Sequence, residues 1–300
     1  MSAAFRMVVT GATGQVARSL VEIGPSHGID VIALGRPTID FAKPDTLTAA
    51  IGAARPDILV NAAARTDPER CELEPEIAEA VNATGAAVLA ACTRQLGIPI
   101  VQLSTSYVFD GAKAEPYGEA DPPVPIGVYG RSKLAGERAV IAANPRHVIL
   151  RMSWIFSPFG RNLVTAILDQ GRRNDEVRAV ADQVGSPAAA ADVAAGIIAV
   201  ARNLLQNKDG SQGYGLFHMA SPNPVTPANF ATAIFAAWAE CGGPPVRVVP
   251  IPSSAYPSRV RRPPNVALDC RKIAARHGVV LPPWQNALRA CVERILEGRT

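Results

Sequence analysis

The chain has 300 residues, of which 48% are hydrophobic and 19% charged. This composition is typical of a globular protein and excludes a disordered one. A formal net charge of +4 is too small to indicate nucleic-acid binding, although it suits an enzyme whose ligands are phosphorylated. No apolar stretch reaches the ~18 residues that a membrane span needs, and the strand-like start leaves no room for a signal peptide. We therefore expect a cytoplasmic protein with neither nucleic acid nor membrane as a partner.

The cysteines and histidines indicate neither a disulfide framework nor a metal site. Five cysteines are widely spaced without a CxxC pair, and the four histidines lack metal-ligand spacing. We expect the cysteines to be reduced, small apolar side chains, and we predict no metal site.

The first half of the chain alternates β-branched runs with alanine-rich segments. The pattern predicts strands over 5–10, 30–34, 57–61, 98–104 and 147–153. It predicts helices from about residue 14 and over 43–54, 74–96 and 131–143. Strands that alternate with helices predict an α/β fold with a Rossmann-type, doubly wound parallel sheet. Ligands of such folds bind in the crevice at the carboxyl ends of the strands.

The pattern changes after residue 154. Helices are predicted over 161–172, 190–205 and 284–296, while the proline-rich segment 242–264 is predicted to be largely loop or edge structure. We therefore predict a dinucleotide-binding domain over residues 1–154. Residues 155–300 would form mainly a smaller substrate-binding lobe, interleaved with the first domain.

A glycine loop, TGATGQVA over residues 10–17, stands between the first predicted strand and helix. Gly11 would permit a tight turn, and Gly14 would let backbone N–H groups approach a pyrophosphate at the positive end of the helix. The glycines could instead serve only the turn. The strand before and the helix after supply the context that a dinucleotide site requires.

Arg36 follows the second predicted strand, where an NAD-specific site would place an acidic residue. It could bind a 2′-phosphate, which favours NADPH over the still possible NADH; the alternative is a solvated loop arginine. Asp40 and Phe41 could flank the adenine. The small residues after the third strand would let the nicotinamide half lie close: Ala62, Ala63 and Ala64.

Tyr129 and Lys133 are four residues apart at the start of a predicted helix, so their side chains share a face. A free phenol has a pKa of ~10, and a neighbouring ammonium would lower it and promote proton exchange with a carbonyl oxygen. A surface pair is the alternative. Thr105, at the end of the fourth predicted strand, stands where a third catalytic hydroxyl is expected.

The ordered motifs resemble the dTDP-4-dehydrorhamnose reductase family of the extended short-chain dehydrogenase/reductases. The resemblance covers nearly the whole chain. It rests on GATGQVA, NAAARTDPERCELEPE, VNATG, LSTSYVFDG, VYGRSKLAGE, RMSWIF, GRNLVTAIL, ADQVGSP and RRPPNVALD.

The resemblance implies the role of each site residue. Tyr129 would protonate the C4 keto oxygen, Thr105 would hydrogen-bond that oxygen, and Lys133 would hold the nicotinamide ribose and polarise Tyr129. The implied cofactor residues are Gly11, Thr13, Gly14, Gln15, Val16, Arg36, Asp40, Phe41, Ala62, Ala63, Ala64, Tyr129 and Lys133. The implied substrate residues are Thr105, Ser106, Trp154, Asn162 and Arg262.

Within that substrate set, Trp154 would pack on the sugar, although it could be a core residue. Asn162 and Arg262 would reach the nucleotide diphosphate, although Arg262 could belong to a solvated basic loop. Ser106 and Arg65 depart from the family pattern, which has Asp and often an aromatic residue or His at these positions, and they leave the particular sugar open.

The implied activity is NAD(P)H-dependent reduction of the 4-keto group of a nucleotide-linked deoxysugar. The resemblance favours dTDP-4-dehydro-L-rhamnose as substrate and dTDP-L-rhamnose as product, with a homodimer as a family-level expectation. One alternative is a nucleotide-sugar epimerase or dehydratase, although dehydration would want a carboxylate beside Thr105, where Ser106 stands. The other is a non-catalytic, nucleotide-sensing regulatory subunit, which the presence of Tyr129 and Lys133 disfavours.

Overall fold

A computed structural model describes residues 5–206 and 213–298. Its central sheet has six strands in the order β2-β1-β3-β4-β5-β9, and every pairing is parallel. The strands are β1 (Arg6–Thr10), β2 (Asp30–Leu34), β3 (Ile58–Asn61), β4 (Ile100–Thr105), β5 (His147–Met152) and β9 (Gly215–His218). The predicted α/β class with a doubly wound parallel sheet is confirmed.

Helices cover both faces of this sheet. Residues such as Val9 pack with Leu20 and Ile197 on one face, while Val8 packs with Leu89 on the other. The first face carries α1 (Gln15–Ile23) and α8 (Ala190–Gln206); the second carries α2 (Pro44–Ala54), α5 (Gly85–Gln95) and α6 (Val128–Ala143). Because both faces are covered, every residue of β3 and β4 is buried, the polar ones included.

A second hydrophobic cluster lies in the C-terminal half, around Phe156, Phe230, Trp238 and Trp284. Two short parallel pairs contribute to this region, one of β6 with β8 and one of β7 with β10. Its strands are β6 (Ile155–Phe156), β7 (Glu176–Val180), β8 (Ala188–Ala189) and β10 (Arg247–Ile251). Its helices are α7 (Leu163–Gly171), α9 (Pro227–Glu240), α10 (Arg271–His277) and α11 (Gln285–Leu296).

The structure follows the predicted elements closely in the first half and departs from them at one helix. The five predicted strands are present, with ends shifted by at most two residues. The helix predicted over 74–96 is present as one continuous run of α4 (Pro75–Glu79), a π-helical turn over Ala80–Thr84, and α5, and the short α3 (Pro68–Leu73) precedes it. In the C-terminal half, α9 and β10 were not predicted as elements. The domain boundary at residue 154 stays a prediction, although α8 and β9, which follow it, pack on and extend the central sheet.

No helix in the described ranges is long and apolar enough to cross a membrane.

Helix α6 approaches the π-helical turn closely because Gly136 lies against the backbone of Asn82. A Cβ at Gly136 would collide with the Asn82 carbonyl oxygen. Since that oxygen belongs to backbone and not to a flexible side chain, it has no room to yield. The contact fixes the distance between α6 and the segment that follows β3.

We expect Gly136→Ala to lower the free energy of unfolding by about 1–3 kcal/mol, because an inserted methyl group forces the two backbones apart. Gly52→Ala in α2 is the matched control, since nothing lies within 4 Å of the position of its Cβ. That change should stabilise by about 0.5–1 kcal/mol, because alanine favours a helix interior. Urea unfolding of both variants measures the difference, and equal stability for the two would show that the close approach is unimportant.

Candidate active site

The glycine loop lies against the end of β3. Gly11 has φ +79°, a conformation that glycine adopts freely, and a Cβ on it would stand 2.9 Å from the Cα of Ala63. On the other side, the Ala12 N–H donates to the Leu34 carbonyl at 3.2 Å. The loop is therefore held between the ends of β2 and β3, at the topological switch point where α/β folds bind ligands.

The N-terminus of α1 suits an anion. Gly14 is the N-cap in extended conformation, and no side chain in the described ranges caps the helix. Its first-turn N–H groups thus lack intrahelical partners, as a diphosphate site requires. Thr13 is exposed beside them, whereas the Val16 side chain is buried in the core and leaves only its backbone for a ligand. The residues present fit the diphosphate of a dinucleotide.

Gln15 connects the glycine loop to the segment after β5. Its side-chain amide donates to the Ile155 carbonyl at 3.3 Å and accepts from the Ser157 hydroxyl at 2.8 Å. These bonds fix the orientation of the Gln15 side chain, and its predicted contact with a diphosphate stays a prediction.

The residues predicted for the adenosine half follow β2. Arg36 is exposed there, two residues beyond the Leu34 carbonyl that holds the glycine loop. Asp40 closes a local turn by accepting from the Ala42 N–H at 3.0 Å. Phe41 lies against Gly85, where its ring would collide with an added Cβ. The ring thus packs partly on α5, and the predicted adenine contacts of Asp40 and Phe41 stay predictions.

Tyr129 lies in the first turn of α6, above the end of β4. Its ring meets the ring of Tyr107 edge-on, with 5.8 Å between centroids. Burial raises the pKa of the Tyr129 phenol to about 12, and a hydrogen bond with the Thr105 hydroxyl only partly opposes this rise. Thr105 also accepts from the Tyr107 N–H at 3.2 Å. The structure therefore brings Tyr129 and Thr105 together, as predicted.

Lys133 is buried one turn further along α6, with 3% of its surface exposed. Its ammonium donates to the Leu103 carbonyl at 2.6 Å. Burial lowers the pKa of Lys133 to about 8, and the Glu137 carboxylate opposes that fall. Desolvation of the phenol thus has the largest effect on the pKa of Tyr129, and the expected lowering of that pKa by Lys133 stays a prediction.

Glu137 lies one turn beyond Lys133 and is held in a buried ion pair. Arg151 donates to it with two nitrogens, at 2.9 and 2.6 Å, and the Ser104 hydroxyl donates at 2.5 Å. These hydrogen bonds offset the cost of burying the carboxylate. Sequence reasoning missed this pair, although Glu137 closes the VYGRSKLAGE motif.

Two further residues that sequence reasoning missed fix the start of α6. The Glu72 carboxylate of α3 accepts from the Val128 N–H at 2.7 Å, and a carboxylate at a helix N-terminus is favourable. Asn82, in the π-helical turn, donates to the Ser132 hydroxyl at 2.9 Å and accepts from the Arg65 N–H at 2.8 Å. Asn82 lies within the quoted VNATG motif, which was the available signal.

Ser106 and Trp154 lie beside Thr105 and Tyr107. The Ser106 hydroxyl is buried without a hydrogen-bond partner in the described part of the chain. Trp154 has φ +39°, a region that non-glycine residues seldom occupy, and its ring covers Gly185. A hydrogen bond from Trp154 opposes the rise that burial causes in the pKa of Tyr107. Trp154 thus faces the site and is not a core residue.

Asn162 is held in a helix cap. It caps α7, where its side-chain oxygen accepts from the Val164 and Thr165 N–H groups at 3.0 and 3.3 Å. Its amide nitrogen donates to the Ser157 carbonyl at 2.8 Å. This geometry gives Asn162 a structural role as the cap of α7, and its predicted contact with a diphosphate stays a prediction.

Arg262 lies near Tyr107, since its charge lowers the pKa of that phenol against the larger effect of burial. One guanidinium nitrogen is 4.0 Å from the Glu69 carboxylate. The neighbouring Val260 and Pro263 line a small cavity with Tyr107 and Tyr129. The basic segment, residues 259–262 with arginines at 259, 261 and 262, therefore lies over Tyr107 and Tyr129. A contact of Arg262 with a diphosphate stays a prediction.

No cluster of three or more His, Cys, Asp or Glu side chains that could hold a metal occurs in residues 5–206 and 213–298.

Residues 5–297 match the family described as RmlD substrate binding domain. The chain belongs to this family. A dTDP-4-dehydrorhamnose reductase of Sinorhizobium fredii is 41% identical over 295 residues, which cover 98% of this chain and 99% of that protein. The crystal structure of a dTDP-4-dehydrorhamnose reductase from Clostridium acetobutylicum has a TM-score of 0.88 at 30% identity, covering 97% of this chain and 99% of that one. A Bacillus anthracis dTDP-4-dehydrorhamnose reductase in complex with NADP has a TM-score of 0.87 at 28% identity, covering 96% and 99%.

The lowered pKa of Lys133 predicts how the free energy of unfolding depends on pH. A folded pKa of about 8, against 10.5 when solvated, means that the unfolded chain binds more protons between these values. The contribution of Lys133 to stability therefore rises with pH across this window and is unfavourable below it.

We expect Lys133→Met to raise the free energy of unfolding at pH 7 by about 1–3 kcal/mol, because the cost of burying a charge disappears. The gain should shrink as the pH rises from 8 to 10.5. Denaturant unfolding over this pH range measures it, with Lys43→Met, at an exposed lysine, as the control. A gain in the free energy of unfolding that does not change with pH would contradict the lowered pKa of Lys133.

Proposed function

We propose that this chain is a dTDP-4-dehydrorhamnose reductase, which reduces the 4-keto group of the nucleotide-linked sugar with NADPH. The observation that carries the proposal is the hydrogen-bonded pair of Tyr129 and Thr105, with buried Lys133 one turn away. These residues lie at the carboxyl end of the sheet, on the same edge as the glycine loop. The relatives named dTDP-4-dehydrorhamnose reductase, one of them solved with NADP, support the substrate and the cofactor.

The glycine loop and the residues after β3 would hold the cofactor. Backbone N–H groups from Gly14 onward would bind its diphosphate, and the half-buried Ala62, Ala63 and Ala64 would leave room for the nicotinamide half. Arg36 would pair with the 2′-phosphate. When bound, NADPH supplies the hydride that the reduction of C4 consumes.

Tyr129 would supply the proton. A phenol whose pKa is about 12 remains protonated at neutral pH, so it is a donor and not a base in the resting site. As negative charge develops on the C4 oxygen, Tyr129 would transfer its proton to that oxygen while the Thr105 hydroxyl donates a hydrogen bond. With a pKa of about 8, Lys133 is mainly cationic at pH 7, and its charge would stabilise the phenolate that remains.

The substrate would enter beneath the basic segment that lies over Tyr107 and Tyr129. Trp154 would pack on the sugar, and the unpartnered Ser106 hydroxyl would offer it a hydrogen bond. Because Ser106 stands where a dehydratase would need a carboxylate, the arrangement supports reduction alone. A homodimer remains a family-level prediction.

Turnover assays with dTDP-, GDP- and UDP-linked 4-keto sugars test the proposal, each with NADPH and with NADH. We expect stoichiometric NADPH oxidation with dTDP-4-dehydrorhamnose. Absence of oxidation with this sugar, in a protein that binds NADPH, would refute the assigned substrate.

Tyr129→Phe should lower kcat by about 10²–10⁴-fold, because the general acid is lost. Its NADPH affinity, followed by cofactor fluorescence, should stay within about twofold, because the ring and its packing remain. Tyr256→Phe, at an exposed tyrosine, is the control and should leave both values unchanged. A fully active Tyr129→Phe enzyme would remove Tyr129 from the mechanism.

Arg36→Ala should raise the KM for NADPH by about tenfold or more while the KM for NADH changes little, because only NADPH carries the phosphate that a guanidinium would bind. Steady-state kinetics with both cofactors measure the ratio. Arg173→Ala, at an exposed arginine beyond α7, serves as the control. Equal effects on both cofactors would show that Arg36 does not read the 2′-phosphate.

A further inference from the structure

A row of buried polar side chains crosses three neighbouring strands at the carboxyl end of the sheet. Thr10 of β1 pairs in register with Asn61 of β3, and Asn61 pairs with Gln102 of β4. Their exposed fractions are 0, 1 and 2%. Further down the same face, the corresponding positions are apolar and pack under α2, α5 and α6. Buried polar groups are costly unless they are bonded, so this row calls for an explanation.

The row forms one directed chain of hydrogen bonds. The Thr10 hydroxyl donates to the Asn61 side-chain oxygen at 2.6 Å, and the Asn61 amide donates to the Gln102 side-chain oxygen at 2.8 Å. The Gln102 amide then donates to the Leu103 carbonyl at 2.9 Å. Each side-chain amide accepts through its oxygen and donates through its nitrogen, so all the hydrogen bonds of the row run in one direction. This pattern fixes the orientations of the Asn61 and Gln102 side chains.

Both ends of the chain lie in the site. At one end, the Thr10 hydroxyl accepts from the N–H of Ala63 at 3.3 Å, and Ala63 is the residue on which Gly11 rests. At the other end, the Leu103 carbonyl also accepts the ammonium of Lys133, at 2.6 Å. Gln102 and Lys133 therefore donate to the same carbonyl oxygen.

We propose that Gln102 is a positioning residue that fixes the Leu103 carbonyl, and thereby Lys133, relative to the glycine loop. Of the three residues in the row, Gln102 is the one that bonds both to Asn61 and to the Leu103 carbonyl, which accepts the Lys133 ammonium. A residue that merely filled the core would need no amide there, since an apolar side chain of similar length would avoid the cost of burying one. The inference rests on the proposed role of Lys133 in holding the cofactor ribose.

Gln102→Met tests the proposal, because methionine keeps the length of the side chain and removes both hydrogen bonds. Thr93→Val is the matched control. Thr93 is a fully buried polar residue under the same face of the sheet, with hydrogen bonds to Leu89, Ala90 and Asn144 and none to the row. Both changes remove buried hydrogen bonds, so both should lower the melting temperature. Only Gln102→Met should affect Lys133.

We expect Gln102→Met to lower kcat by about tenfold or more, because small misplacements of a catalytic group have large effects on rate. The KM for the sugar should stay within about twofold, and the NADPH Kd from fluorescence titration should rise by about threefold or more. Thr93→Val should leave all three values within about twofold of wild type. If Gln102→Met does not fold, Gln102→Glu, which retains the length and the acceptor for Asn61, should show the same pattern.

The proposal would be overturned if the folded Gln102 variant had the same kcat and the same NADPH Kd as Thr93→Val. The NADPH titration also separates this inference from the proposed function. If the wild-type protein binds NADPH but reduces none of the sugars, the assigned reaction fails, while the difference in NADPH Kd between the two variants still decides the role of Gln102.

Discussion

The burial of a charged amine beneath α6 governs the arrangement of the whole site. Lys133 is 3% exposed, and an ammonium at such a position needs partners to offset its lost hydration. The Leu103 carbonyl supplies a direct bond, and Glu137 supplies a negative charge. That carboxylate is itself buried and is stabilised by a bidentate hydrogen bond from the Arg151 guanidinium. One desolvated charge thus accounts for a series of buried polar residues that would otherwise destabilise the core.

Close backbone contact makes this burial possible. Helix α6 has glycine where it crosses other backbones, at Gly130 against the Tyr107 carbonyl and at Gly136 against the Asn82 carbonyl. Larger side chains at either position would hold the helix away from the sheet and admit water to Lys133. The Glu72 carboxylate, bonded to the Val128 N–H, fixes the same helix at its first turn. The packing of α6 therefore depends on the same contacts that bury Lys133.

Local patterns predicted the sheet and the helix on which Tyr129 and Lys133 lie one turn apart, because strand periodicity and helical repeat are properties of short segments. They did not predict features that depend on distant contacts. The π-helical turn within the helix predicted over 74–96 lies where Asn82 faces Gly136 and Ser132 of α6. Asn162 has a sequence position that suggests a ligand contact, yet its environment makes it a helix cap. The effect of burial on the pKa of Tyr129 was likewise not predicted, because burial cannot be read from a four-residue spacing.

Burial shifts the pKa values of Tyr129 and Lys133 in opposite directions, and this opposition suits the roles proposed for them. It raises the pKa of Tyr129 to about 12 and lowers that of Lys133 to about 8, so in each case it favours the neutral form. Proton transfer from Tyr129 would create a phenolate beside an ammonium in a site of low dielectric constant, where opposite charges attract strongly. The attraction would develop only as the proton leaves, so it would stabilise the transition state more than the ground state. Interactions of that kind are the ones that raise kcat.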